Sequence, residues 1–356
     1  LNDGLIVLEV TEVEGTRIHT RVVAGGELSN RKGLNRKGGG ISAPALTDKD
    51  REDIRFAAAQ GLDYVALSFV RDADDIHLAR ELLRAAGGVG VRIVAKIERH
   101  EAIAQLAGII DATDVIMVAR GDLGVEMGHA ALTGLQKTII HQTRHRNRVV
   151  ITATQMMESM ITNPVPTRAE VSDVANAVMD GTDAVMLSNE SAVGDFPVEA
   201  VATMATIAKR IERDYPQRVL DSHMATTIPN AICQAVSSIA RQLNAAAILP
   251  LTKGGSTARN VSKFRPSTPI LAITSEVNVA RQLQLCWGVN PLLVEEQSSS
   301  TSTFSLAMGK ARALGFLQDG DLVVQTAGTL AGISGSTDFI KVGIVSAVLS
   351  KGTGIG

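Results

Sequence analysis

Five apolar runs of strand length, each ending in polar residues or glycine and each tied to a helical pattern, leave this chain little choice of fold. The sharpest is Val115-Ile116-Met117-Val118-Ala119, followed at once by Arg120-Gly121-Asp122-Leu123-Gly124. Its length and β-branched content suit a strand covered on both faces, and Gly121 and Gly124 leave backbone amides accessible at its carboxyl end. Upstream, Arg92 to Glu98 forms a second such strand, and period-two alternation puts Lys96 and Glu98 on one face near its end.

If these two strands are neighbours, one ammonium and two carboxylates converge. Glu98 and Asp122 suit a hard divalent cation such as Mg²⁺ or Mn²⁺, which takes only one or two protein carboxylates and fills its shell with water and substrate oxygens. Lys96 beside them would meet an anionic substrate. A metal, a lysine and free amides together fit phosphoryl transfer or enolate chemistry, where catalysis is positioning groups and neutralising charge. The same spacing also fits a Lys96–Glu98 ion pair inside a barrel with Asp122 capping a helix, and spacing alone does not choose between them.

In chain order, Ile6 to Val10 and Arg17 to Val23 read as a hairpin, and the glycine-interrupted basic stretch from Ser29 to Gly40 reads as a connector able to touch phosphates or simply to face water. Thr47 and Asp50 form a capping box for a helix to Gln60, and Tyr64 to Val70 is a strand. Helices follow at Ala73–Ala86, His100–Ile110 and Ala130–Arg146, with a further strand at Val149–Thr154. Thr167 and Glu170 form a second capping box, and Val171, Val174, Ala175, Val178 and Met179 are expected to line one face of its helix. Asp183 to Ser188 is the last strand of the series, and the helix Ala200–Asp214 should turn Val201, Met204, Ile207, Ala208 and Ile211 inward.

Repeated strand–helix units predict a parallel sheet. Lys96, Glu98, Asp122, Thr154, Ser188 and Glu190 all fall at strand ends. A (β/α)8 barrel, of which only the later strands are present, gathers those ends around one site, whereas an open doubly wound sheet strings them along an edge. The prolines and lost periodicity of Tyr215 to Pro229 mark a domain boundary. The expected division is 1–43, the end of a small β domain; 44–216, an incomplete (β/α) barrel; and 217–356, a carboxyl-terminal α/β domain. In the last, the strand Ala247–Leu251 runs into Thr252-Lys253-Gly254-Gly255-Ser256-Thr257 at a helix start, which is an anion site by geometry or an ordinary capped glycine turn.

A net charge of −2 and an aromatic content of 3% argue against nucleic acid as a partner. Cys233 and Cys286 have no zinc-ligand spacing and read as core thiols. With no apolar run of the ~18 residues that suggests a membrane span, a cytoplasmic protein is expected. Leu1 opens the chain inside a strand-like pattern, so a longer upstream segment is expected.

These residues, taken together, resemble the pyruvate kinase family. Ala95-Lys96-Ile97-Glu98, Met117 to Gly124, Thr152 to Met160 and Pro166-Thr167-Arg168-Ala169-Glu170 stand in the family's order and spacing, preceded by Lys32-Gly33-Leu34-Asn35. The wording Ala153-Thr154-Gln155-Met156-Met157-Glu158-Ser159-Met160 is closest to the bacterial branch. The resemblance implies phosphoryl transfer from phosphoenolpyruvate to ADP, with Glu98 and Asp122 as ligands of Mg²⁺ or Mn²⁺ and Lys96 neutralising charge. It implies substrate contacts from Ala119, Arg120, Gly121, Asp122 and Thr154, with Thr154 near the enolate carbon. Lys32, Ser68, Ser188 and Glu190 are further candidate positions. It assigns Thr252, Lys253, Gly254, Gly255, Ser256 and Thr257, with Gly335 and Ser336, to a phosphorylated small-molecule activator, and it suggests a homotetramer.

The family's barrel has eight strands; the chain matches the last five. The family's K⁺ ligands and its phosphate-binding arginine have no counterpart here, and exposed sheet edges are expected. Asn189 and Ser191 stand where the family has a small residue and a threonine. Two other functions fit some of the pattern: another metal-dependent barrel enzyme acting on pyruvate or phosphoenolpyruvate, or a non-catalytic protein that keeps only the activator site.

Overall fold

The computed structural model describes residues 1, 4–30, 33–40, 44–215, 227–328 and 336–345. The amino-terminal hairpin pairs β1 (Val7–Glu14) with β2 (Arg17–Ala24), and Arg21 donates to Glu9 across the ladder. Both faces of this ribbon are exposed, its apolar residues among them, with no layer over either face among the described residues.

Next comes a parallel sheet of β3 (Tyr64–Leu67), β4 (Arg92–Ile97), β5 (Val115–Ala119), β6 (Val149–Ala153) and β7 (Ala184–Met186), paired strictly in chain order. That sequential order, with a helix after each strand, is the winding of a (β/α) barrel wall, since a doubly wound sheet would reverse direction. Ile93, Ala95, Ile97, Ile116, Val118 and Val150 face the helices, where Ile76, Ile109, Ile139 and Ile140 are fully buried. Val94, Met117, Val149 and Ile151, on the opposite face, belong to a cluster that runs on into the next α/β unit. Among the described residues β3 pairs only with β4, and a groove of about 660 Å³ runs along it beside Leu46, Ile54 and Ala66.

The second sheet has the order β10-β9-β8-β11-β12, from β8 (Ala247–Pro250), β9 (Ile270–Thr274), β10 (Val289–Leu293), β11 (Leu322–Gly328) and β12 (Thr337–Ile344), with β12 alone antiparallel. Here the winding does reverse, at β8. Helices Ile228–Gln242, Ser256–Ser262, Val277–Leu283 and Ser300–Ala313 cover it. The expected domain boundary falls largely on residues 216–226, outside those described.

Several elements differ from the sequence reading. β3 stops at Leu67 instead of Val70, because Phe69 turns the chain at φ 55°. The single helix expected over His100–Ile110 is two, His100–Ala104 and Leu106–Ala112, which meet at Gln105. In the helix Arg168–Asp180, Val174, Ala175 and Val178 are buried as expected, but Val171 and Met179 are exposed. Val201 is likewise exposed on the helix Pro197–Asp214. The covered stripe is in each case narrower than the apolar pattern. Both capping boxes are present, Thr47 with Asp50 and Thr167 with Glu170. Cys233 and Cys286 are buried thiols. Among the described residues no helix is long and apolar enough to cross a membrane.

Candidate functional site

β4 and β5 are neighbours in register, with Lys96 opposite Met117 and Ile97 opposite Val118, so their carboxyl ends deliver Lys96, Glu98 and the 120–122 segment to one place. Lys96 Nζ lies 2.6 Å from Glu98 Oε1 and donates to Ser68 Oγ at 2.9 Å, which brings in the end of β3 as well. Glu98 is almost fully buried and its other oxygen accepts from the Phe69 amide at 2.6 Å. Burial pushes the Glu98 carboxyl up; Lys96 and the Phe69 amide pull it down, the charge of Asp122 pushes it up again, and the net direction is upward. Two carboxylates near enough to feel one another, one of them desolvated beyond what a single lysine offsets, form a hard-oxygen donor pair that a divalent cation would relieve. Among the described residues there is no cluster of three metal-type side chains.

β5 passes without a loop into the helix Arg120–Met127, with Ala119 as its cap residue and no side-chain cap. Gly121 and Asp122 thus sit in the first turn, where amides have no intrahelical acceptor and the helix dipole favours an anion. The connector crosses the site: the position a Cβ would take on Gly33 is 3.9 Å from Asp122 Oδ1.

Arg120 contributes more than an amide. Its buried guanidinium donates to the Thr154 carbonyl at 2.9 Å, the Gln155 carbonyl at 3.3 Å and Asp173 Oδ1 at 2.7 Å. Thr154 and Gln155 hold φ of 74° and 55°, a region that costs a non-glycine residue of order 1–3 kcal/mol unless its surroundings enforce it. The Arg120 fork is that enforcement. Glu190 acts as a second clamp at the neighbouring strand: it is buried, accepting from the amides of Met157 at 3.1 Å and Ser188 at 2.8 Å, so it ties the ends of β6 and β7 together. Neither clamp was visible in the sequence, where Arg120 is expected as a substrate contact through its backbone and Glu190 as a further candidate position; the only signal available was the charge itself in an otherwise apolar context.

The Thr252–Thr257 segment follows β8, at the strand where the second sheet reverses its winding, the usual ligand position in such sheets. Gly255 is held at φ 82°, a backbone that strains any side chain, and a Cβ there would lie 2.5 Å from Arg259 Nη1 and push it aside. Thr257 Oγ1 lies 2.8 Å from Thr337 Oγ1, and a Cβ on Gly328 would meet Ser336 Oγ at 2.2 Å. The structure therefore brings Thr337 against this loop, while Ser336, next to it in the chain, lies against the end of β11. Thr252 and Thr257 are buried, and Lys253 is exposed. Lys32 and Gly335 lie outside the described residues.

The loop also touches the first sheet. Gly254 O accepts from Arg92 Nη2 at 3.1 Å, and Arg92 opens β4, the strand that ends in Lys96 and Glu98.

Two family models match, "Pyruvate kinase, barrel domain" over residues 1–201 and "Pyruvate kinase, alpha/beta domain" over residues 230–343. The chain is 56% identical to pyruvate kinase 2 of Synechocystis sp. and 46% identical to the pyruvate kinase of Geobacillus stearothermophilus, in both cases along its whole length. It is 45% identical to pyruvate kinase II of Salmonella typhimurium over 96% of its length. It spans 60% of the Synechocystis relative, 62% of the Geobacillus one and 72% of the Salmonella one. The chain belongs to the pyruvate kinase family.

Proposed function

We propose that this chain transfers the phosphoryl group of phosphoenolpyruvate to ADP, giving ATP and pyruvate, the closing reaction of glycolysis. The observation that carries the reading is the meeting of Lys96, Glu98 and Asp122 with the first turn of a helix, at the carboxyl ends of adjacent strands. Glu98 and Asp122 would hold Mg²⁺ or Mn²⁺, which when bound supplies positive charge to the phosphoryl oxygens.

The first-turn amides at Gly121 and Asp122 receive the substrate carboxylate, with Ala119 and Arg120 shaping the backbone around it. Lys96 directs its ammonium at the phosphoryl group while the P–O bond to the enolate oxygen breaks and a P–O bond to the terminal phosphate of ADP forms. As the electron pair arrives on the enolate oxygen, the same ammonium balances the growing charge. The enolate carbon then takes a proton, and the Thr154 hydroxyl, on a backbone locked by Arg120, lies in the proton path. Ser68 orients Lys96, and Ser188 with Glu190 fixes the neighbouring strand end. Lys32, in the connector, is a further candidate for contact with the phosphates.

The Thr252–Thr257 loop, with Gly335 and Ser336, binds a phosphorylated activator whose occupancy reaches β4 through Gly254 and Arg92. We further propose a cytoplasmic homotetramer divided at residues 43 and 216, with K⁺ as a second cofactor.

The test is pyruvate formation from phosphoenolpyruvate and Mg²⁺, followed with and without ADP. ADP-dependent release is expected. Release at the same rate without ADP would assign a lyase or hydrolase instead, and binding of sugar phosphates without turnover would leave only the activator site.

A further inference from the structure

A small crevice lies between the two sheets, far from the strand ends that carry the chemistry. From the first unit come Arg144 and Arg148, flanking the turn into β6; from the second come Arg259, Lys263 and Arg265, in and after the helix Ser256–Ser262. Arg144, Lys263 and Arg265 are each about 95% buried. Against these five cations the lining offers one carboxylate, Asp183, already engaged by Arg265 Nη1 at 2.9 Å. Asp114 lies close enough to act on Arg148 and Arg259, but it is taken by Arg80 at 3.0 Å and Arg92 at 2.8 Å. Cys286 also lines the crevice, and burial pushes its thiol up to about 12, so it brings no charge.

Buried cations are ordinarily paired. Here Arg144 donates to the Lys263 carbonyl, Arg148 to the Ile110 and Asp111 carbonyls, Arg259 to the Gly254 carbonyl, and Lys263 to Asn230 Oδ1. These are neutral acceptors, which satisfy hydrogen bonds without cancelling charge. Arg144 Nε and Arg265 Nε, both buried and both on residues lining the crevice, have no acceptor among the described residues. Asn147 Oδ1 is also without a partner, and a half-turn of that amide presents its NH₂ group instead. The space is about 10 Å³, room for one water or one monatomic ion and too little for a phosphate or a carboxylate. Size admits water and anion equally. The charge balance separates them, because a neutral water leaves three buried cations, Arg144, Lys263 and Arg265, and the half-buried Arg148 and Arg259 around a lining whose one carboxylate is Asp183, with Asp114 and Asp111 acting on the half-buried pair from outside it.

We propose that this crevice is a binding site for a monatomic anion of the chloride class, held by the Nε–H groups of Arg144 and Arg265. Its place between the catalytic wall and the second sheet lets the anion help to join them.

Thermal unfolding in potassium chloride against potassium gluconate, at matched ionic strength and pH, tests this directly, gluconate being too large to enter. A saturable rise of roughly 3 °C with chloride is expected. Arg144→Met, which removes one cation, its Nε donor and the bond to the Lys263 carbonyl while keeping most of the bulk, should abolish the chloride response and unfold at a higher temperature than the parent in gluconate. Equal midpoints in the two salts, or a response that survives Arg144→Met, would overturn the site. Should Arg144→Met fail to fold, bromide-soaked crystals of the parent decide it: an anomalous peak between Arg144 and Arg265 supports the site, and an empty crevice or a water there rejects it.

Discussion

Arg92 and Lys96 sit on the same strand, roughly 13 Å apart at the rise of a parallel strand, and are treated in opposite ways. At the amino end, Arg92 is saturated: it bonds Asp114, Gln282 Oε1 and Gly254 O, while Asp114 also receives Arg80 and the Ile93 amide. Asp183, at the start of β7, receives Val150 N, Trp287 N and Arg265 in the same manner. At the carboxyl end, Lys96 has one carboxylate and one hydroxyl, Glu98 is desolvated, and Thr154 and Gln155 are held in left-handed backbone. One edge of the sheet spends its polar groups on joining two units; the other spends Arg120 and Glu190 on holding its own strand ends in place and leaves Glu98 desolvated. The closed edge is what lets the open one stay strained in place, because a strand anchored over its first residues carries its last ones without freedom to relax.

Replacing Lys96 should give the largest effect on this contrast. Lys96→Met is expected to lower the rate of pyruvate formation by about 10³-fold or more, about 4 kcal/mol in the barrier. Circular dichroism should be unchanged and Mn²⁺ should still bind. A variant that kept a tenth of parental turnover would remove Lys96 from the chemistry.

Asp114→Asn probes the opposite edge. It keeps the shape and removes the charge that Arg80 and Arg92 share, so the urea midpoint should fall by about 3 kcal/mol in stability, while the fraction that stays folded turns over within about threefold of the parent. Burial raises the Asp114 carboxyl, but the Ile93 amide, Arg80 and Arg92 outweigh it and hold it below the ordinary range. Its folded value is depressed, so its contribution is present above the unfolded carboxylate value and is lost as pH falls through that range. Parent and variant should therefore converge in stability toward acid. If instead Asp114→Asn were to cost activity and leave stability untouched, the division between the two edges would be wrong.

Arg120→Lys tests what enforces the strain. A lysine keeps the charge but cannot bridge the Thr154 and Gln155 carbonyls and Asp173 at once, since it lacks the planar fork. Turnover should drop by about 10- to 100-fold through misplacement of Thr154, with a loss of roughly 1–2 kcal/mol in stability. An unaffected rate would show that Thr154 is held by something else.

The open edge was legible in the sequence and the closed edge was not. Lys96, Glu98 and Asp122 stand within 27 residues of one another in strand-end patterns, and the capping boxes at Thr47 and Thr167 are local by nature. Arg92 meets Gly254 across 162 residues and Trp287 meets Asp183 across 104, distances over which no periodicity speaks. The same holds for the side chains of Arg120 and Glu190, whose partners are the main chain of other strands. Val171, Met179 and Val201 were misplaced for a different reason: apolar spacing gives the direction of a helix face, while its width is set by how much of the helix its neighbours cover.

The smallest effect sharpens the comparison most, because it reads the closed edge where its charges do not balance. Burial pulls the Lys263 ammonium down to about 8 against an opposing pull from Cys233, while Arg144, Arg265 and His145 stand around it. A lysine whose folded value lies below its ordinary 10.5 binds fewer protons folded than unfolded between those two values, so stability should rise with pH across that window. From pH 7 to 8.5 in gluconate the gain is expected to be about 1 kcal/mol. The thiols of Cys233 and Cys286, both pushed up to about 12, act in the opposite sense once the unfolded chain begins to lose their protons, so the quantity to follow is the difference between parent and Lys263→Met. That difference should carry the alkaline gain in gluconate and shrink in chloride, since an anion in the crevice holds the ammonium charged. A gain of equal size in both salts would mean that burial alone governs Lys263 and that the excess positive charge at the joint is borne without a counterion.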